Sequence, residues 1–195
     1  MKHFDKGLIK PTGGQIGATI FENKHINIPK TLFFNIQIEL DSISIEHDTI
    51  KTEILLNFIK FKINRLKELE NRAFDFPVNP TAGYIDGSIY LFEVHNPVDV
   101  TRIEFGTTTE NAIEAKIHYT IDFEFEGTGY SKTEELQLTT ILKFGSLSID
   151  PDILGAEDCN IKKSKDLLIE FCDKNDYDQP KIMGHRIEFE MNVKK

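Results

Sequence analysis

The sequence contains only four arginines, two cysteines and no tryptophan among its 195 residues. Arginine is the side chain best suited to contacting phosphates and base edges. Acidic residues outnumber basic ones by 32 to 23, which gives a formal net charge of −9. The scarcity of arginine and the negative field argue against nucleic acid as a partner and favour a basic protein.

Cysteine and histidine are too scattered to form a recognisable site. Cys159 and Cys172 belong to no CxxC pair, and the six histidines show neither an HExxH motif nor an HxH spacing. No zinc ligand set and no activated nucleophile can be assigned from these patterns. We therefore expect no cofactor and no metal, and we expect both cysteines to be free thiols.

Long hydrophobic runs are missing as well. The apolar stretches at residues 54–63 and 85–94 are broken by polar side chains well before the roughly 18 residues of a membrane span. Residues 1–6 carry three charges and lack the apolar core of a signal peptide. These features predict a cytoplasmic protein without a membrane partner. The length predicts a single domain over residues 1–195, with a loop-rich segment over about residues 1–30.

Hydrophobic spacing predicts two helices. From Ile54 to Leu69 apolar residues recur every three to four positions, Asp48 can cap this segment, and the prolines at residues 77 and 80 end it. A second helix is predicted over residues 163–174. Elsewhere the period is two, which is typical of half-buried strands.

Consecutive strands are predicted at residues 87–94, 98–105, 113–125 and 134–144, with further strands at 31–40 and 187–193. Neighbours in sequence that alternate in this way favour an antiparallel meander. The predicted fold class is therefore α+β, with an antiparallel sheet and two helices packed on it. On the strand over residues 113–125, Asp122, Glu124 and Glu126 are expected to share one polar face.

The densest polar segment covers residues 79–99 and contains Asp86, Glu93, His95 and Asp99. These side chains have the chemistry of an oxygen and nitrogen metal site or an acid/base pair. The pairs Asp-Gly and Asn-Pro in the same segment are also typical turn residues, and this interpretation is the stronger one. A partner-contact loop is the third interpretation.

Charge is distributed unevenly along the chain. Residues 84–159 contain fifteen acidic side chains against four basic ones. A solvated acidic face, a docking surface for a basic protein and a divalent-cation site all fit this pattern. For a docking surface, the expected partner-binding residues are Asp122, Glu124, Glu126, Asp86, His95 and Asp99.

The segments FPVNP at residues 76–80, YIDGSIY at 84–90 and HNPVDV at 95–100 resemble small, uncharacterised bacterial proteins of the toxin-immunity type. The resemblance covers mostly residues 76–150 and assigns no functional residue. It implies a non-enzymatic acidic binding protein, an immunity protein that binds and blocks a cognate toxin. Two alternatives stay open: an enzyme or metal-binding domain centred on the loops at 79–99, and a structural or assembly protein that exposes sheet edges.

Overall fold

The computed structural model describes residues 1–45, 48–109, 111–149, 151–154, 161–184 and 186–192. Strands are the dominant element of the described residues, so the fold is mainly β. The strands are Pro11–Asn23 (β1), Ile28–Leu40 (β2), Ile43–Ile45 (β3), Asp48–Ile50 (β4), Glu53–Ile59 (β5), Ala73–Asp75 (β6), Asp86–Leu91 (β7), Val94–Thr109 (β8), Ala112–Ile121 (β9), Leu136–Ile149 (β10), Lys181–Met183 (β11) and Arg186–Glu190 (β12). The α-helical segments are Pro151–Leu154 (α1) and Ile161–Phe171 (α2), and the 3₁₀ turns are Lys6–Leu8, Lys24–Ile26, Leu66–Leu69 and Lys174–Asp176.

Seven strands form a closed barrel in the order β1, β2, β5, β7, β8, β9 and β10. Neighbouring strands are antiparallel except for β1 and β10, which pair in parallel and close the barrel. Closure gives the edge strands hydrogen-bond partners that an open sheet would leave unpaired. β12 pairs with residues 146–149 of β10, beyond the residues that β9 occupies, and β11 extends the sheet from β12.

The predicted fold class, an α+β meander with two helices, is therefore wrong. The four strands β7 to β10 do follow each other in antiparallel order, but they form one wall of the barrel. Its closure depends on β1, a strand of 13 residues within the segment predicted to be rich in loops. Among the described residues α2 is the only α-helix longer than a single turn, and it lies at the position of the predicted second helix.

The prediction of a helix over residues 54–69 is wrong: Glu53–Ile59 forms β5, whose β-bulge imitates helical spacing, and Leu66–Leu69 forms a 3₁₀ turn. Ile54, Leu56 and Ile59 are buried inside the barrel, whereas Phe58 points outward. The register between β2 and β5 shifts between Phe34 and Ile36, where β5 carries an extra residue. The bulge changes the phase of the alternation, and apolar residues on both faces then recur every three to four positions.

The barrel interior is filled by alternating residues from all seven strands. Ile16, Ile38, Ile89, Ile117 and Leu142 are each no more than 1% exposed. Beside the barrel, Leu167 and Leu168 of α2 are buried in the same core. None of the helices in the described ranges has the length and apolar composition that crossing a membrane requires.

A buried carboxylate joins the C-terminal part of the chain to the segment before β6. Asp176 is fully buried and accepts hydrogen bonds from the backbone N–H of Leu66 at 2.7 Å and from Nη2 of Arg65 at 3.0 Å. A buried charge with two donors of this kind avoids the cost of an unpaired ion. The contact fixes the 3₁₀ turn Leu66–Leu69 against the turn Lys174–Asp176.

Candidate partner-binding surface

The residues predicted to form turns at 86–87 and 95–97 lie in strands, so that interpretation is wrong. Asp86 begins β7, and His95 lies in β8 directly opposite Tyr90. The chain reverses between them at Phe92 and Glu93, which both have positive φ angles, 57° and 65°. This is the backbone of a two-residue hairpin turn, whose sense of twist matches that of the flanking strands.

Asn96 holds this unusual turn from inside the barrel. Its side chain is 0% exposed, and its Nδ2 donates hydrogen bonds to the carbonyl oxygens of Leu91 at 2.9 Å and Val94 at 3.2 Å. Neither turn residue is glycine, so the left-handed backbone carries a steric cost that the Asn96 hydrogen bonds offset. The hairpin thereby fixes the positions of Tyr90 and His95 on the outer face.

Asp86, His95 and Asp99 line one depression on the outside of the barrel, together with the ring of Tyr84. Its volume is about 220 Å³, which is below the roughly 300–1,000 Å³ of typical small-molecule pockets. Backbone elements approach each other closely at its base, since a Cβ on Gly87 would lie 2.2 Å from the carbonyl oxygen of Val98. The depression is a shallow feature of a protein surface with acidic walls.

Lys132 connects this depression to the acidic turn that follows β9. Its Nζ lies 2.8 Å from Oδ2 of Asp99 and 3.9 Å from Oδ2 of Asp122. The hydrogen bond from Lys132 to Asp99 raises the pKa of the ammonium group, so Lys132 stays charged. Its backbone N–H donates to Oε1 of Glu124 at 3.2 Å. One cation therefore neutralises only part of the local negative charge.

The acidic residues predicted to share a strand face lie instead in a turn. β9 ends at Ile121, and residues 124–127 form the turn itself. Oδ1 of Asp122 accepts hydrogen bonds from the backbone N–H groups of Glu124 and Phe125, both at 3.0 Å, as aspartates do in Asx turns. Asp122 is thus required for the shape of the turn, whereas Glu124 and Glu126 are exposed on it.

Three exposed aromatic rings lie among these acids. Phe125 is 73% exposed at the turn, Tyr90 is 44% exposed with its ring 5.0 Å from that of His95, and Tyr84 is 37% exposed. Aromatic residues exposed within a polar rim are typical of protein interfaces. We call this surface the acidic–aromatic face, and it consists of Tyr84, Asp86, Tyr90, His95, Asp99, Asp122, Glu124, Phe125 and Glu126.

Glu93 is the predicted residue that this face does not include. It lines a neighbouring cavity of about 580 Å³ beside the β3–β4 hairpin, which shares Tyr90 with the face and has Lys2 and Tyr130 among its other lining residues. The proposed four-residue set of Asp86, Glu93, His95 and Asp99 is therefore divided between two depressions. Within the described ranges, no group of three or more histidine, cysteine or acidic side chains is arranged to hold a metal ion.

Sequence reasoning missed the aromatic part of the face. Phe125 continues the apolar alternation of β9, so the pattern placed it inside, but the strand ends four residues earlier. The sequence signal for the end of the strand was the pair of glycines at 127 and 129. Both have positive φ angles in the structure, 65° and 84°. The role of Lys132 was not visible in the sequence because it depends on contacts across 33 residues.

Comparisons of the chain with protein-family models, with curated proteins and with solved structures found no match.

Proposed function

We propose that the protein is a non-enzymatic binding protein whose acidic–aromatic face docks a basic protein. The observation that carries the proposal is the exposure of Tyr84, Tyr90 and Phe125 among carboxylates that a single lysine only partly neutralises. Exposed rings supply apolar area that partners bury, and the surrounding charge steers a positively charged partner towards them.

The most concrete form of this proposal is an immunity protein that covers the active site of a cognate toxin. Such a blocker needs a rigid surface of complementary charge and requires no catalytic group of its own. The closed barrel supports this role, since β7 and β8 position Asp86, Tyr90, His95 and Asp99 of the face. In this proposal the protein acts in the cytoplasm, where the buried thiol of Cys172 remains reduced.

Site-specific photo-crosslinking from Phe125 is the direct test. A photoreactive phenylalanine analogue replaces Phe125 in one variant and Ile26 in a matched control, because Ile26 is also strongly exposed, at 64%, but lies at the β1–β2 connection. We expect the probe at position 125 to capture one predominant basic protein in cells. The probe at position 26 should not capture it.

Two further measurements separate specific docking from general charge attraction. Reversing Asp86 and Glu126 to lysine should abolish the crosslink at position 125. In a second measurement, the purified partner should lose its toxic activity when the unmodified protein is added at a one-to-one ratio. Capture of the same proteins from both positions, or capture that persists after charge reversal, would contradict docking at this face. Docking without loss of the partner's activity would contradict the immunity role alone.

A further inference from the structure

A third depression lies on the outer faces of β10, β1, β2 and β5, with β12 at its rim. Its volume is about 380 Å³, within the roughly 300–1,000 Å³ range of small-molecule sites. Small side chains form its floor: Thr19 and Ser148 are directly opposed across the parallel β1–β10 pair, and their hydroxyl groups lie 2.9 Å apart. Larger side chains on both sides of this floor make the surface concave.

The bulge in β5 builds one wall of this depression. Phe58 has a φ angle of 56°, a left-handed conformation that is costly for a bulky side chain, and it is 46% exposed. Its ring meets Phe33 edge to face at 5.3 Å and lies 6.0 Å from Phe21. Bulges and strained backbone are concentrated where a side chain must be directed towards a binding site.

The opposite side carries positive charge that no described acid neutralises. Arg65, Arg72 and Arg102 all form ion pairs, whereas Arg186 at the rim forms none with any described residue. Glu188, two residues further along β12, hydrogen-bonds to Ser146 at 3.3 Å. Near the aromatic wall, Nζ of Lys60 lies 5.0 Å from the centroid of the Phe33 ring. Two cations therefore flank an apolar depression in a protein of net charge −9.

Uncommitted amide groups complete the lining. The side chains of Asn35 and Asn57 both line the depression, and neither hydrogen-bonds to another described residue. An apolar cavity with a few convergent polar groups is the usual composition of a small-molecule site. The guanidinium group of Arg186 supplies paired donors for a carboxylate, and the two amides supply orientation.

From this arrangement we infer that the depression binds a small organic carboxylate with a flat apolar body, which rests against Phe58 and Phe21 while its carboxylate pairs with Arg186. The volume admits a two-ring molecule. This site uses other strands and other residues than the acidic–aromatic face. Its test and the test of the proposed function therefore fail independently.

The experiment compares 2-naphthoate with its neutral analogue 2-naphthamide by isothermal titration calorimetry on the full chain. We expect saturable one-to-one binding of 2-naphthoate. The amide should bind with at least about tenfold lower affinity, because it has no negative charge to pair with Arg186. Arg186→Gln should weaken 2-naphthoate by about tenfold or more and leave 2-naphthamide unchanged. Phe58→Gly should weaken both ligands, since the wall is removed while the left-handed backbone stays compatible with glycine.

Lys10→Gln is the charge-matched control, because Lys10 is exposed just before β1 and far from the depression along that strand. It should bind 2-naphthoate as the unmodified protein does. Circular dichroism of each variant shows that it is folded before titration. The inference is overturned if 2-naphthoate shows no saturable binding, if the amide binds as tightly as the carboxylate, or if Arg186→Gln and Lys10→Gln have equal effects.

Discussion

Inside the barrel, the side-chain amide of Asn96 donates a hydrogen bond to the carbonyl oxygen of Leu91 at 2.9 Å, which fixes the hairpin that presents Tyr90 and His95. Asn96→Ala leaves the buried carbonyl group of Leu91 and the partly buried one of Val94 without this donor. An unsatisfied buried group costs about 1–3 kcal/mol, so we expect urea denaturation to show a loss of about 2 kcal/mol in the free energy of unfolding.

Asn111→Ala is the matched control for that measurement, because Asn111 is exposed at the next hairpin. Its substitution should change the free energy of unfolding by no more than about 0.5 kcal/mol. Similar small losses in both variants would show that Asn96 does not hold the turn.

At position 58, the glycine variant is predicted to be more stable than the alanine variant, which reverses the usual order of stability in a strand. In an extended strand glycine is less stable than alanine by about 0.5–1 kcal/mol. At a φ angle of 56° the Cβ of alanine is penalised by about 1–2 kcal/mol, so Phe58→Gly should be more stable than Phe58→Ala. Ile141, which is 49% exposed on β10 and has no positive φ, should show the usual order. Thermal unfolding of all four variants measures this difference, and the same order at both positions would contradict the strained bulge.

Gly14 tests whether the barrel closes as described. It pairs with Ile38 on β2 and with Leu142 on β10, and a Cβ at this position would lie 2.4 Å from the carbonyl oxygen of Gln37 and 2.8 Å from Cδ2 of Leu142. Gly14→Ala must therefore move a backbone strand, and overpacking of this kind costs about 1–3 kcal/mol. Thr12→Ala, at an exposed position on the same strand, should leave the free energy of unfolding almost unchanged. Chemical denaturation measures this free energy for both variants. Equal stability of the two variants would place β1 away from β10.

Cys172 is predicted to lower the free energy of unfolding as the pH becomes alkaline. Burial raises the pKa of its thiol to about 11, above the value of about 8.5 for an exposed cysteine. A group whose pKa is raised on folding stabilises the protein below its unfolded pKa, and this contribution is lost as the pH rises towards the folded value. Between pH 7.5 and pH 10 the free energy of unfolding should fall by about 2 kcal/mol more in the unmodified protein than in Cys172→Ser. Parallel pH profiles of the two proteins would remove Cys172 as the cause.

The wall of the barrel from β7 to β10 could be predicted because each strand has one buried and one wet face. Ile117, Ile121, Phe123, Leu138 and Leu142 are all buried, as their alternation indicates. The closure could not be predicted in the same way. β1 and β10 are separated by more than one hundred residues, and a parallel pair leaves no turn signal between them.

The proximity of three of the candidate residues could be predicted in part. Asp86, His95 and Asp99 lie within fourteen residues of sequence and reach one depression, because a hairpin returns the chain beside itself. Asp122 joins them only through Lys132, which is a tertiary contact. Nothing in the local pattern of β5 distinguishes a bulge from a helix, so the position of Phe58 required the structure.

The most direct test of the proposed docking uses the purified partner that crosslinking identifies. Its association rate is measured with each of two double variants over a series of salt concentrations. Asp86→Lys with Glu126→Lys reverses two exposed charges of the acidic–aromatic face and keeps Asp122, whose carboxylate shapes the turn. Asp166→Lys with Glu170→Lys reverses the same number of exposed charges on α2. At low salt the first variant should associate about tenfold more slowly than the second, and the difference should shrink as salt screens charges beyond about 10 Å at 0.1 M. Equal association rates for the two variants at low salt would contradict docking through this face.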